Sequence, residues 1–237
     1  MYASTGQEMQ LLATRLLDDL CFLDDRDADC EMAEQRVHSY GKLGVAGAFE
    51  AMFGRPGCQA EVAGVYAEIF HRLGYLTVDH TIGHSGWSEL TGGLRDRFED
   101  RDVRRSEAQT LLGSPSLIID HGTVLCYAAN DPAVGWLFVD SPAVHVRRYE
   151  AGHGRYTADK DTDPLVRSLR MSSQPFEDGL ILTLYGKVLR WGPGWWIDHP
   201  SASQTPEQQA IARQLRQIRD ADPSQQGEIR AAWPKFT

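Results

Sequence analysis

The chain has 237 residues, of which 42% are hydrophobic and 24% charged, a composition typical of a globular protein with a substantial core. The formal net charge is −9, and the whole excess lies in residues 1–100, which hold 17 Asp and Glu against 8 Lys and Arg. This excess argues against nucleic acid as a partner of that half, because phosphates are bound by Lys and Arg.

The sequence contains no stretch typical of a membrane span or an export signal. Its apolar runs are shorter than the ~18 residues of a membrane helix. The N-terminus lacks the basic and then apolar pattern of a signal peptide. The four cysteines have irregular spacing without a C-x-x-C pair, as expected of reduced thiols. We therefore expect a cytoplasmic protein that does not associate with a membrane.

The first half of the chain predicts helices. Thr5 and Glu8 have the spacing of a capping box. Behind them an apolar face recurs at helical spacing and is expected to pack against the rest of the protein. That face consists of Met9, Leu12, Leu16, Leu20 and Leu23. An acidic connector, residues 24–29, then leads to a second helix, for which Asp29 is the expected cap.

Further helices are predicted before residue 113. A short one is expected around residues 45–53, and residues 59–73 form the clearest helix, with Gly74 suited to its C-terminal cap. Residues 77–93 are rich in Gly, Ser and His and are expected to form a loop. Short helices are predicted across the end of that loop and at residues 106–112.

From residue 114 short apolar runs alternate with turns, which predicts strands. The strands are expected at residues 117–119, 124–127, 136–139 and 144–146, the first two paired as a hairpin, with a polar loop at 151–163. Residues 180–197 are predicted to hold two more strands, joined by a turn at Gly186 and Lys187, and a tight aromatic loop. Thr205 and Pro206 are typical of a helix start, which predicts a C-terminal helix.

These elements predict an α+β fold, in which a helical N-terminal half packs on an antiparallel sheet of about residues 114–198, followed by a C-terminal helix. The helices cannot bury their apolar faces alone, so we expect one domain, residues 1–237. The alternative is a subdivision at Gly113 into a helical part, 1–113, and a part that holds the sheet and the last helix, 114–237.

The acidic connector is the first candidate for binding a partner. It carries Asp24, Asp25, Asp27 and Asp29. An acidic surface favours a basic protein partner because opposite charges speed the encounter. The alternative is a charged surface that only maintains solubility.

The aromatic loop is the second candidate. It carries Arg190, Trp191, Trp195 and Trp196, and Trp and Arg are enriched at recognition sites. The same rings would serve equally well as a plug that closes one end of the sheet.

Three histidines are candidates for holding a metal ion. His80 and His84 are four residues apart, a spacing that places two imidazoles on one helix face and can hold zinc. Gly83 and Gly86 flank His84, however, and Thr81 stands where the metalloprotease motif needs Glu, so two exposed loop histidines are the alternative. His121 is a candidate third ligand.

An enzyme site between the helices and the sheet would draw on these histidines together with Asp120 and Cys126. Cys126 lies in an apolar strand, where a thiol tends to be inert. The sequence has no nucleophile elbow, P-loop or dinucleotide-binding loop. It therefore assigns no catalytic residue.

The sequence favours a non-catalytic binding protein, of the inhibitor or bacterial immunity type, that recognises a protein partner and needs no cofactor. One alternative is a metal-dependent or Cys/His enzyme, which would hold a divalent metal. The other is a small-molecule sensor whose pocket is lined by Trp191, Trp195 and Trp196.

Overall fold

The computed structural model describes residues 5–53, 57–142, 145–150, 155–192, 195–199 and 206–231. The first helices are α1 (Gly6–Leu23), α2 (Asp27–His38), α3 (Gly44–Phe53), α4 (Gln59–Arg72), α5 (His84–Thr91), α6 (Leu94–Phe98) and α7 (Arg105–Leu112). The strands are β1 (Leu117–Ile119), β2 (Val124–Ala128), β3 (Trp136–Asp140), β4 (His145–Glu150), β5 (Arg155–Lys160), β6 (Ser168–Met171) and β7 (Leu180–Leu182). The last helices are α8 (Leu184–Trp191), α9 (Trp195–Asp198), α10 (Pro206–Asp220) and α11 (Gln226–Ala231). The predicted α+β class is confirmed.

Five strands form an antiparallel sheet in the order β1-β2-β3-β6-β7, while β4 and β5 pair as a separate hairpin. Phe138 lies opposite Cys126 on one side and Arg170 on the other, so these three residues share one face. Their neighbours Tyr127 and Leu137 belong to the opposite face. The register therefore defines two faces, and both are covered by helices.

α4 packs on the face that carries Phe138, where Gly64 allows a close approach to the Phe138 ring. The opposite face is covered by α5, α6 and α7, through residues such as Trp87 and Phe98. β2 and β3 are buried along their whole length, as expected of strands with helices on both sides. α1 and α3 pack in turn against α4.

Two predicted elements have a different structure. Gly186 and Lys187, the predicted turn, and the strand predicted after them lie in helix α8, because the Thr183 hydroxyl accepts a hydrogen bond from the Gly186 amide at 3.1 Å and caps a helix there. The loop predicted at residues 77–93 contains α5, which buries Trp87 and Leu90 against the sheet.

Other differences concern boundaries and missed elements. α2 begins at Asp27, so Asp29 lies inside the helix and is not its cap. The loop predicted at 151–163 holds β5, while 151–154, like Thr205, lie outside the described residues. β6 and α11 were not predicted. Within the described residues, no helix is both long enough and apolar enough to cross a membrane.

Candidate functional site

α1 buries a different face from the one that its leucines predict. Its buried residues are Gly6, Ala13, Leu17 and Cys21. Gly6 lies so close to the Cys58 sulfur that a side chain there would collide with it. Small residues thus bring this face of α1 tightly against its neighbours, and the predicted apolar face is turned aside. The prediction that the leucine face of α1 packs into the core is wrong for three of its residues.

Those three residues, Leu12, Leu16 and Leu23, form what we call the α1 stripe. Their exposed fractions are 37%, 51% and 76%. Spacings of four and seven residues place them on one side of the helix. Leu11 and Phe22, also on α1, are 71% and 80% exposed. Exposed apolar surface of this kind is typical of an interaction site.

The α1 stripe lies in an acidic part of the molecule. Residues 5–43 hold nine Asp and Glu against four Lys and Arg, a net charge of −5. Asp19 follows Leu16 by three residues and precedes Leu23 by four, so it shares the side of the stripe. Asp19 pairs with Arg15 at 3.6 Å, and this ion pair is exposed and weak.

The acidic connector that follows α1 is held in a defined position. Arg26 donates to the Asp29 carboxylate at 2.7 Å and to the Leu73 carbonyl at 2.5 Å, which ties the connector to the end of α4. Asp29 is therefore half-buried and engaged, whereas Asp24, Asp25 and Asp27 are exposed. Three of the four predicted carboxylates thus face solvent next to the α1 stripe in sequence.

The tryptophans of the second candidate form a stacked ladder. The rings of Trp191 and Trp195 stack at 5.4 Å, and His199 stacks on Trp195 at 4.7 Å. Arg190 lies over the Trp191 ring at 5.0 Å. The side chain of Trp196 lies outside what the structure describes. The aromatic residues sit on α8 and α9 and not on the predicted strand and loop, whose residues 193–194 are also outside the described segments.

The inner part of this ladder is engaged in packing. Lys187 lies over the Trp195 ring at 5.3 Å and bonds to Glu99 at 3.2 Å and Asp100 at 2.5 Å, which joins α8 to the end of α6. Trp191 is 49% exposed and forms the open end. The ladder thus combines an internal contact with one exposed ring.

The three candidate metal ligands are exposed and are not brought together. His80 precedes α5, His84 is its first residue, and His121 lies in the turn between β1 and β2. Among the described residues, one group of three His, Cys, Asp or Glu side chains places its ligand atoms within 4.8 Å of one another. It consists of Asp18, Cys30 and Glu34.

In that group the cysteine is held by a hydrogen bond. The Cys30 thiol donates to Asp18 at 3.6 Å. Burial, with the neighbouring Cys21 and Asp18, raises the pKa of Cys30 to about 12, so the sulfur is a thiol at neutral pH and a metal ion would have to displace its proton.

The residues of the alternative enzyme site also differ in their burial. Cys126 is fully buried in the sheet, and burial raises its pKa far above the ordinary value. Asp120 is exposed in the β1–β2 turn, where it accepts a hydrogen bond from Thr123 at 3.0 Å. An inert thiol inside the core does not serve as a nucleophile.

A groove of about 600 Å³ lies between α3 and the loop that joins β6 to β7. Its walls include Tyr40, Met52, Phe176 and Arg190. Its size falls in the range of small-molecule sites. This groove is not lined, however, by Trp191 or Trp195, the two described tryptophans of the sensor pocket that the sequence predicts.

Buried charges attach α4 to the sheet, and sequence reasoning missed them. Glu61 forms a buried ion pair with Arg167, whose guanidinium lies 3.8 Å above the Phe53 ring. Glu68, seven residues later on the same side of α4, accepts from Arg36 at 2.9 Å and from Ser172 at 2.9 Å. The available signal was two carboxylates at helical spacing within an otherwise apolar face.

Comparison of the chain with protein-family models, with curated proteins and with solved structures found no match. The surface, charge and packing of this molecule are therefore the basis for its proposed function.

Proposed function

We propose that this is a non-catalytic binding protein that holds a basic protein partner through α1, the acidic connector and α2, in the manner of an inhibitor or immunity protein. The observation that carries the proposal is the coincidence of large exposed apolar side chains with a net charge of −5 on one short part of the chain. Apolar area supplies affinity in protein interfaces, and complementary charge speeds the encounter.

Two further features support the proposal. The connector is fixed to α4 through Arg26, so its carboxylates are presented in a defined arrangement before a partner arrives, which lowers the entropy cost of binding. All four cysteines lie in described segments and are free thiols, which is compatible with the reducing cytoplasm in which we place the protein. The proposed activity requires no cofactor.

Charge reversal on this surface tests the proposal. The variant Asp19→Lys, Asp27→Lys, Glu31→Lys changes three exposed carboxylates of α1 and α2. A matched control reverses three exposed carboxylates elsewhere, Glu89, Asp96 and Glu177, and changes the net charge by the same amount. Both proteins and the unchanged chain are used for affinity capture from native cell extract, and bound proteins are identified by mass spectrometry.

We expect the unchanged chain and the control to capture the same basic protein, and the α1–α2 variant to lose at least ten-fold of it. Capture should also fall as salt rises, because exposed charges are screened. Equal capture by the two variants would show that the acidic helices do not hold the partner.

A further inference from the structure

The α1 stripe has the geometry of a seat for another helix. α1 has 18 residues and is therefore ~27 Å long, and the stripe runs over ~16 Å of it. Leu12, Leu16, Asp19 and Leu23 follow one another at spacings of four, three and four residues, which forms a straight ridge along the helix. Such ridges pack into the grooves of a second helix, and anchors at these spacings are typical of helix recognition.

The charge around the α1 stripe determines which kind of molecule can bind there. A second copy of this chain would bring a surface of net charge −5 against an identical one. Helices that bind anionic membranes carry Lys and Arg on their polar face, whereas the charged residues of α1 are Glu8, Asp18 and Asp19 with the single cation Arg15. Attraction therefore requires an occupant that is positively charged.

Negative charge is concentrated at one end of the stripe. Asp24, Asp25 and Asp27 follow the C-terminus of α1 and are exposed there. The C-terminal end of a helix also carries partial negative charge from its free carbonyl groups. The positive charges of the occupant should consequently lie opposite the end of α1 that bears Leu23, with its apolar residues against Leu12 and Leu16.

We infer that α1 binds a basic amphipathic helix of the partner, with leucine-like residues on one face and Lys or Arg beside them. This inference rests on the proposed function and names the part of the partner that α1 would hold. It differs from the charge argument alone because it requires the leucines and the helical order of the partner, in addition to opposite charge.

Three synthetic 18-residue peptides distinguish these requirements. One is an amphipathic helix of Leu and Lys, the second has the same composition scrambled so that no apolar face forms, and the third is an amphipathic helix of Leu and Glu. Each carries a fluorophore and is titrated with the full chain at low and at physiological salt, with anisotropy as the measurement.

The protein variants separate the α1 stripe from general stickiness. Leu16→Ser with Leu23→Ser removes two exposed leucines and leaves the buried face of α1 intact. The matched control, Leu111→Ser with Ile118→Ser, removes two apolar side chains that are 41% and 53% exposed and lie outside α1 and α2. Circular dichroism and thermal melting of each variant verify that it is folded.

We expect the basic amphipathic peptide to bind the unchanged chain and the control, and to bind the α1 variant at least ten-fold more weakly. The scrambled and acidic peptides should bind all three proteins at least ten-fold more weakly than the basic amphipathic peptide binds the unchanged chain. Equal binding of the scrambled peptide, or no binding of any peptide, would overturn the inference. So would sedimentation showing a dimer of this chain that dissociates on loss of Leu16 and Leu23, since a second copy would then be the occupant.

The outcomes also separate this inference from the proposed function. If the peptides fail while partner capture still depends on Asp19, Asp27 and Glu31, the acidic surface binds something other than a helix and only the inference is lost. If capture is equally insensitive to those carboxylates, the proposed function is lost as well.

Discussion

Glu61 and Arg167 face each other inside the molecule, with side chains only 2% and 4% exposed. Removing two charges from water is costly, and their attraction offsets this cost only while both partners are present. Burial raises the pKa of Glu61, while the positive charge of Arg167 acts to lower it. The pair therefore joins α4 to the sheet next to β6. It holds this contact only while both residues are present.

The first prediction concerns this pair. Arg167→Met should lower the free energy of unfolding by about 3–5 kcal/mol, because it leaves the Glu61 carboxylate buried without a partner. The measurement is urea denaturation at neutral pH. Replacing both residues, with Glu61→Leu added, should recover a large part of the loss. Arg15→Met, which breaks an exposed pair, is the control and should leave stability unchanged within error. A similar result for Arg15→Met and Arg167→Met would contradict this interpretation.

At this scale the sequence indicated the acidic half of the candidate site but not its apolar half. Asp24, Asp25 and Asp27 stand out in the sequence and are exposed in the structure. Leu12 and Leu16 have the spacing of a core face, so the sequence placed them inside. Their exposure follows from the close packing of Gly6 against Cys58, a residue more than fifty positions away, which local periodicity does not encode.

Among the elements, α8 depends on one close approach. It follows β7 directly, and its residue Gly186 lies against the backbone carbonyl of Arg167, where a Cβ atom would collide. The Thr183 hydroxyl that caps α8 also donates to the Val166 carbonyl at 2.6 Å. The start of α8 is thus fixed to the chain that leads into β6.

Gly186→Ala is therefore expected to destabilise the protein by about 1–3 kcal/mol or more, because the obstacle is backbone that cannot rotate away. Gly227→Ala is the matched control: Gly227 is also in a helix, α11, but among the described residues no atom outside its own helix lies within 4 Å of the position that its Cβ would take. That substitution should be neutral or stabilise the protein by up to about 1 kcal/mol. Thermal unfolding of both variants is the measurement, and equal melting temperatures would refute the close approach.

The sequence predicted the elements that carry a clear period and missed those whose partners are distant. α4 and the β1–β2 hairpin are confirmed. The apolar run that begins at Leu180 fits a strand or a buried helix equally well, and only the first three residues are a strand. β6 contains Ser168 and Arg170, and buried partners such as Asp140, 2.7 Å from Ser168, are what make these polar residues compatible with a central strand.

For the whole molecule, the sheet is enclosed by helices on both faces, and α1 packs on α4 outside it. A helix in this outer position can present an apolar row without disturbing the core. The negative charge is concentrated in the same half of the chain, while residues 101–237 carry no net charge. This asymmetry is the basis for placing the partner on α1, the connector and α2 and not on the Trp191 ladder.

The most direct test of that placement is amide hydrogen exchange of the full chain with and without the captured partner, followed by mass spectrometry. We predict slower exchange in the partner complex for peptides within residues 6–38, and unchanged exchange for peptides within residues 84–112 and 184–199. Slower exchange confined to residues 184–199, with residues 6–38 unaffected, would contradict binding of the partner to α1, the connector and α2 and would assign it to the tryptophan ladder.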